Sequence, residues 1–166
     1  MSDDLRTSMK FSFATAPIGI CALAATLLPS AGQASVPPLT DQQRQQIVGR
    51  FATAITHDDH QGIIGITTAD MTWTIPGDSV VAGRSVGRRA VLKLADTFAR
   101  YSLTISVHEL AFGTDTVAVE LHDTGNHNGK TLDQDIVNVL TISGDGKVSA
   151  VDANLGDVKQ FDAYFS

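Results

Sequence analysis

The sequence predicts an α+β domain with its helices on one side of a curved antiparallel sheet. Two observations predict it. From Leu121 to Leu155 three alternating runs are separated by the compact turns Asn126-His-Asn-Gly129 and Gly144-Asp-Gly146. Asn, Asp and Gly tolerate the positive φ that tight hairpins require. Upstream, residues 40–56 and 87–100 carry apolar side chains at helical spacing. Helices grouped ahead of a strand meander are the pattern of segregated layers rather than of alternating βα units.

The elements follow in order. Ser35-Val-Pro-Pro-Leu39 is a short linker, extended by its two prolines. Thr40 caps the first helix, with Gln43 completing a capping box. Ile47, Phe51, Ala54 and Ile55 form its apolar face. The polar run His57-Asp-Asp-His60 ends it, and a shorter helical turn follows through Gly62–Ile66. Met71–Ile75 alternates as a strand and stops at Pro76-Gly77. Val80–Ser85 reads as a loop or short edge segment. Gly87–Arg100 is the second long helix, with Val91, Leu94, Ala95 and Phe98 inward. Strands follow over Ser102–Phe112, Thr116–Thr124, Lys130–Ser143 and Lys147–Leu155. Asp157 caps a closing helix that turns Val158, Phe161 and Tyr164 or Phe165 inward. The expected order is α-α-β-α-β-β-β-β-α.

The chain has 166 residues, 43% of them hydrophobic and 18% charged, which suits one globular domain plus a tail. A formal charge of −6 and a pI near 5.1 argue against a nucleic-acid groove or an anionic membrane surface as partner. Arg84, Arg88 and Arg89 are the one basic cluster, read as a solvated helix start.

Residues 1–34 read as a signal peptide. Lys10 precedes the apolar run Ile18–Leu28, and the small residues Gly32 and Ala34 stand at a cleavage-site spacing. Met9 is an alternative start, because Asp3 and Asp4 suit a basic n-region poorly. The run is too short to span a bilayer as a permanent helix. The expectation is therefore an exported protein, periplasmic or secreted, with no membrane contact after signal removal. The one cysteine, Cys21, lies inside that run, so the mature chain would have neither a disulfide nor a catalytic thiol.

Four motifs in order carry a family resemblance: Trp73-Thr-Ile-Pro-Gly77, Gly83-Arg-Ser-Val-Gly-Arg88, Gly144-Asp-Gly-Lys-Val148 and Phe161-Asp-Ala-Tyr-Phe165. With them, residues 40–166 resemble the SnoaL-like branch of the nuclear transport factor 2-like superfamily. The resemblance implies a cone, in which a bent sheet wraps around helices and leaves an apolar pocket with one mouth. It implies a reaction much less strongly, since that superfamily includes isomerases, cyclases, epoxide hydrolases, dehydratases and non-catalytic modules.

Alternation then says which side chains reach the pocket. Trp73 and Ile75 share a face, as do Val119, Leu121 and Asp123, and Gln134, Ile136, Asn138 and Leu140. Phe51 joins them from the first helix. Asp123 and Asn138 interrupt apolar rows, and such polar groups orient ligands. The steroid-isomerase pattern requires a carboxylate base, a tyrosine and a second acid; those positions fall on Ile75, Phe51 and Asn138, none of which can do that work. No arginine can be placed for the hydrolase pattern. The cyclase pattern places an acid/base aspartate in the pocket, and Asp123 is the nearest candidate, with Asp152 and Asp157 behind it.

His57-Asp-Asp-His60 contains metal-ligand types, but four consecutive residues at a helix break read as termination and capping by Asp58 or Asp59. His57 stands at the cone mouth as a ligand contact. His122 faces away from the pocket, and His108 is a sheet histidine. No metal or cofactor is expected. The reading is thus a small apolar or aromatic molecule bound by Phe51, Trp73, Ile75, Val119, Leu121, Ile136 and Leu140, with Asp123, His57 and Asn138 as candidate catalytic residues, in a homodimer formed through the outer sheet face. Two alternatives stay open: a binding or dimerisation module without chemistry, and a pocket filled by its own side chains.

Overall fold

A computed structural model describes residues 37–166, so the signal peptide, the alternative start at Met9, Cys21 and the first residues of the linker lie outside the described residues. The order is α1 (Asp41–Thr56), α2 (His60–Ile66), β1 (Thr67–Ile75), β2 (Gly83–Val86), α3 (Arg88–Arg100), β3 (Thr104–Phe112), β4 (Thr116–His127), β5 (Lys130–Ile142), β6 (Val148–Leu155) and α4 (Val158–Tyr164). Six strands make one sheet in the order β2-β1-β6-β5-β4-β3. The class is α+β and the shape the expected cone: a curved, unclosed sheet folded over helices.

One open alternative is decided and one detail departs from the sequence reading. Gly83–Val86 is a true edge strand, pairing antiparallel with β1 from Thr72↔Val86 to Ile75↔Gly83. The sheet is also not wholly antiparallel, because β1 lies parallel to β6. Chain direction imposes this: β1 leads through β2 and α3 to β3 at the far edge, and the β4-β5-β6 meander returns to β1 running the same way.

Local chemistry sets the boundaries. Thr40 and Gln43 form the capping box at the start of α1. His57 closes that helix, and Asp58 turns the chain at φ 51. Asp59 then caps α2 by accepting from the Gly62 N–H. Asn128 and Gly129 have φ of 52 and 80, the left-handed pair of a two-residue type I′ hairpin. An extra residue at His108 breaks the β3–β4 register, and such a bulge bends the strand.

One core joins these elements, including Ile63, Met71, Val91, Val117 and Tyr164, all fully buried. Asp162 on α4 accepts from the backbone N–H groups of Asp78 and Ser79 at 3.0 and 2.9 Å, which pins α4 to the β1–β2 loop and closes one end of the cone. Among the described residues no helix is long and apolar enough to cross a membrane.

Candidate functional site

The inward alternation of the strands places their apolar rows opposite α1, α3 and α4, and a narrow cavity with a free interior of about 40 Å³ lies between them. Phe51 comes from α1, and Trp73 and Ile75 from β1. Val119 and Leu121 on β4 face Ile136 and Leu140 on β5. All seven residues expected to contact a ligand therefore line it. Phe51 and Phe98 both pack against Trp73, with ring centroids 5.6 and 5.8 Å away. Phe98 and Phe161 also line the wall; both read as inward-facing from helical spacing, although spacing alone did not distinguish pocket from core.

Three unpartnered polar atoms belong to residues of this lining, and a fourth to a strand neighbour of one of them. Asp123, 2% exposed, lines the cavity, and its Oδ1 has no hydrogen-bond partner. Asn138, 7% exposed, lines it too, with its Oδ1 unpartnered. The Trp73 Nε1–H is likewise buried without an acceptor. Gln134 sits directly across from Asp123 on the neighbouring strand; its Oε1 accepts the Asp157 N–H at 2.7 Å and its Nε2 is unpartnered. Buried polar groups are overwhelmingly satisfied in native proteins, so three orphans on residues lining one cavity call for a reason.

Electrostatics point to the same place. Burial pushes the Asp123 carboxyl up from 3.8 to about 7, partly offset by the charge of adjacent His122. Its neighbours in the cavity wall include no Arg, Lys or His. An acid titrating near neutrality in a dry cleft can give or take a proton there.

The structure does not bring His57 to this site. Its ring is exposed at the C-terminus of α1, where Nδ1 donates to the Thr53 carbonyl at 2.9 Å, and it borders a groove that adjoins the cavity at Val48, Ala52 and Ile105. The bond back to Thr53 holds the ring on the flank of α1, a geometry that spacing along the sequence does not reveal. His122 faces the outer surface as expected, where it meets Asp135 at 2.7 Å and Asp133 at 3.1 Å and stacks on His108. Asp152 is exposed, and Asp157 caps α4. Asp58, His60 and Asp96 each place one metal-capable atom within 4.8 Å of the others, but none lines the cavity, and His60 already bonds Asp96 at 2.7 Å.

Comparison with known proteins agrees with this geometry. Residues 48–151 match the model of the SnoaL-like domain. A protein of unknown function with a cystatin-like fold from Xanthomonas campestris is 30% identical, at a TM-score of 0.68, over 74% of this chain and 98% of that one. An NTF2-like protein from Burkholderia xenovorans LB400 is 25% identical, at a TM-score of 0.67, over 76% and 98%. The epoxide hydrolase/cyclase-like enzyme SalBIII, from pyran ring formation in polyether salinomycin, shares the fold at 24% identity and a TM-score of 0.59, over 69% and 92%. No curated protein matches by sequence. With more than half its length covered by the family model and a cavity built on the family's cone, the chain belongs to the SnoaL-like family of the NTF2-like superfamily.

Proposed function

We propose that the cavity binds a small apolar or aromatic molecule and that Asp123 acts on it as an acid/base group, in an isomerisation, cyclisation or dehydration. One observation carries this reading: a carboxyl group buried in an apolar cleft, without a cation or donor, whose pKa of about 7 suits proton transfer at neutral pH. In its charged form Asp123 removes a proton from the bound molecule, and in its neutral form it returns one. Asn138 orients the molecule farther along the cavity, while the aromatic wall at Trp73 holds it and excludes water. The SalBIII likeness, at the level of fold, is compatible with chemistry of this kind and does not select it.

A second reading, a binding module without chemistry, is favoured by the apolar Ile75 and Phe51 at two of the three steroid-isomerase positions. On this reading the domain extends from residue 40 to 166, because α1 starts at Asp41 and α4 supplies Phe161 to the cavity. Export rests on the composition of residues 1–34, and the homodimer on exposed Val137 on the outer face of the sheet. Native mass spectrometry of protein purified from its own host tests the whole reading. It should report two subunits and a retained neutral molecule. A clean, ligand-free monomer would remove both the dimer and the bound molecule.

A further inference from the structure

The edge strand β3 carries apolar side chains on the concave face of the sheet that no helix fully covers. Ile105, Val107 and Leu110 are the register partners of Asp123, Leu121 and Val119, so they continue the cavity wall by one strand. Val107 is nonetheless 42% exposed, and Ile105 and Leu110 are half-buried. They floor a groove of about 370 Å³ whose opposite side is α1, from Gln45 to His57. Val48, Ala52 and Ile105 line both spaces, and Ala52, like Ile105, is half-buried. One apolar surface thus runs from the cavity into the groove across these three residues.

Size and chemistry say what the groove takes. The cavity interior is about 40 Å³, whereas a cavity that holds one benzene ring measures about 150 Å³. Most of a ligand must therefore lie outside the interior, and the groove has the room. Its floor is apolar, its rim carries Gln45, Thr53, Thr56 and His57, and among the described residues no acid, Lys or Arg lines it. That lining suits an uncharged chain and offers nothing to pair with a charged one. We propose that the ligand is longer than the cavity: its reacting end lies inside, and an uncharged alkyl tail leaves past Ala52 and Ile105 to lie on Val107 and Leu110. This deepens the reading of the cavity as a small-molecule site and rests on it. His57 borders the groove, so it meets the tail and not the reacting end.

The test measures binding of 1-hexanol, 1-octanol and 1-decanol to the purified protein. Trp73, the sole tryptophan, lines the cavity and reports binding through its emission. Each added methylene should tighten binding about fourfold, the gain for burying one CH2 group. Val107 lines the groove and not the cavity. Val107→Asp sets a charge beneath the tail at a position already open to water, and should cut the gain from 1-hexanol to 1-decanol by about tenfold or more. Val107→Thr keeps the shape and the branching at Cβ, so it keeps the test open if the charged variant fails to fold; it should cut that gain about threefold. A wild-type affinity that stops rising beyond 1-hexanol would confine the ligand to the cavity, overturning the tail and leaving the site standing. The full gain in both Val107 variants would place the tail elsewhere and overturn it as well. Binding of none of the three alcohols would overturn the tail and the small-molecule site together.

Discussion

Asparagine at position 123 keeps the size and shape of the side chain and removes its charge, so Asp123→Asn isolates what burial of the carboxyl does to stability. Burial raises its pKa from 3.8 in the unfolded chain to about 7. Between those values the folded protein holds a proton that the unfolded chain has released. The stabilisation is therefore complete below the unfolded value and is lost as pH rises through the folded one. From these two values the loss is about 2.6 kcal/mol between pH 5 and pH 8; a folded value of about 6 would give about 1.4 kcal/mol. His60 and His122 are also raised, by hydrogen bonds to Asp96 and Asp135, and their stabilisation likewise fades with rising pH. The wild-type curve alone thus mixes three groups. Urea unfolding of both proteins across the range from about pH 5 to pH 8 separates them, because His60 is common to both and Asp123 is the least of the causes that raise His122. The variant should gain about 2.6 kcal/mol on the wild type over that range. A difference that stays constant with pH would mean that Asp123 titrates as a solvated acid, and its role in proton transfer would fall with it.

Trp73→Ala should cost about 3–5 kcal/mol, as an aromatic truncation in the core, measured by denaturant unfolding; a loss typical of a surface site would remove Trp73 from the core. Asp162→Ala should cost about 1–2 kcal/mol by leaving the Asp78 and Ser79 N–H groups unpaired. Although partial burial pushes the Asp162 carboxyl up, those hydrogen bonds outweigh it and hold the group below its usual range. Its contribution should therefore disappear as pH falls through that lowered value, which acid titration of wild type and variant would show. Gly77→Ala should destabilise by about 1–2 kcal/mol, because Gly77 has φ 112 and an added Cβ would meet the Asp162 carboxylate. In Asp162→Ala the second clash is gone, so the two effects should be less than additive in a double-mutant cycle.

What could be read from sequence was local. The Thr40–Gln43 box, the Asn128-Gly129 turn and the Asp157 cap each depend on residues within a few positions, and each forms as expected. Strand alternation placed Asp123 and Asn138 inward, because period two leaves no choice once one neighbour is buried. The start of β1 at Thr67 was hidden because Thr67–Asp70 does not alternate cleanly, and a register shift follows before Thr72. The parallel β1–β6 junction joins segments distant in sequence and has no local signature. The place of His57 depended on the rotamer that bonds its ring back to Thr53, and the anchoring of Gln134 on a contact 23 residues away.

The Asn128-Gly129 turn also decides which acid enters the cavity. It sets Asp123 against Gln134 and His122 against Asp135, so that one carboxyl is buried and unpaired while Asp133 and Asp135 lie outside, against an imidazole. A slip of one residue in β5 would reverse every side chain on that strand. Asp133 and Asp135 would then face the apolar wall, and Gln134 and Asn138 would face solvent. Two buried carboxylates without cations would be far more costly than one, which ties the register to the stability of the fold. The same arrangement gives the cavity a single ionisable group with one amide beside it. A cleft with several acids would compete for protons, and one with none could not move a proton. The meander that builds the cone therefore also leaves one solitary acid in its wall, and the remaining specificity falls to the aromatic surface around Trp73 and to the Asn138 end.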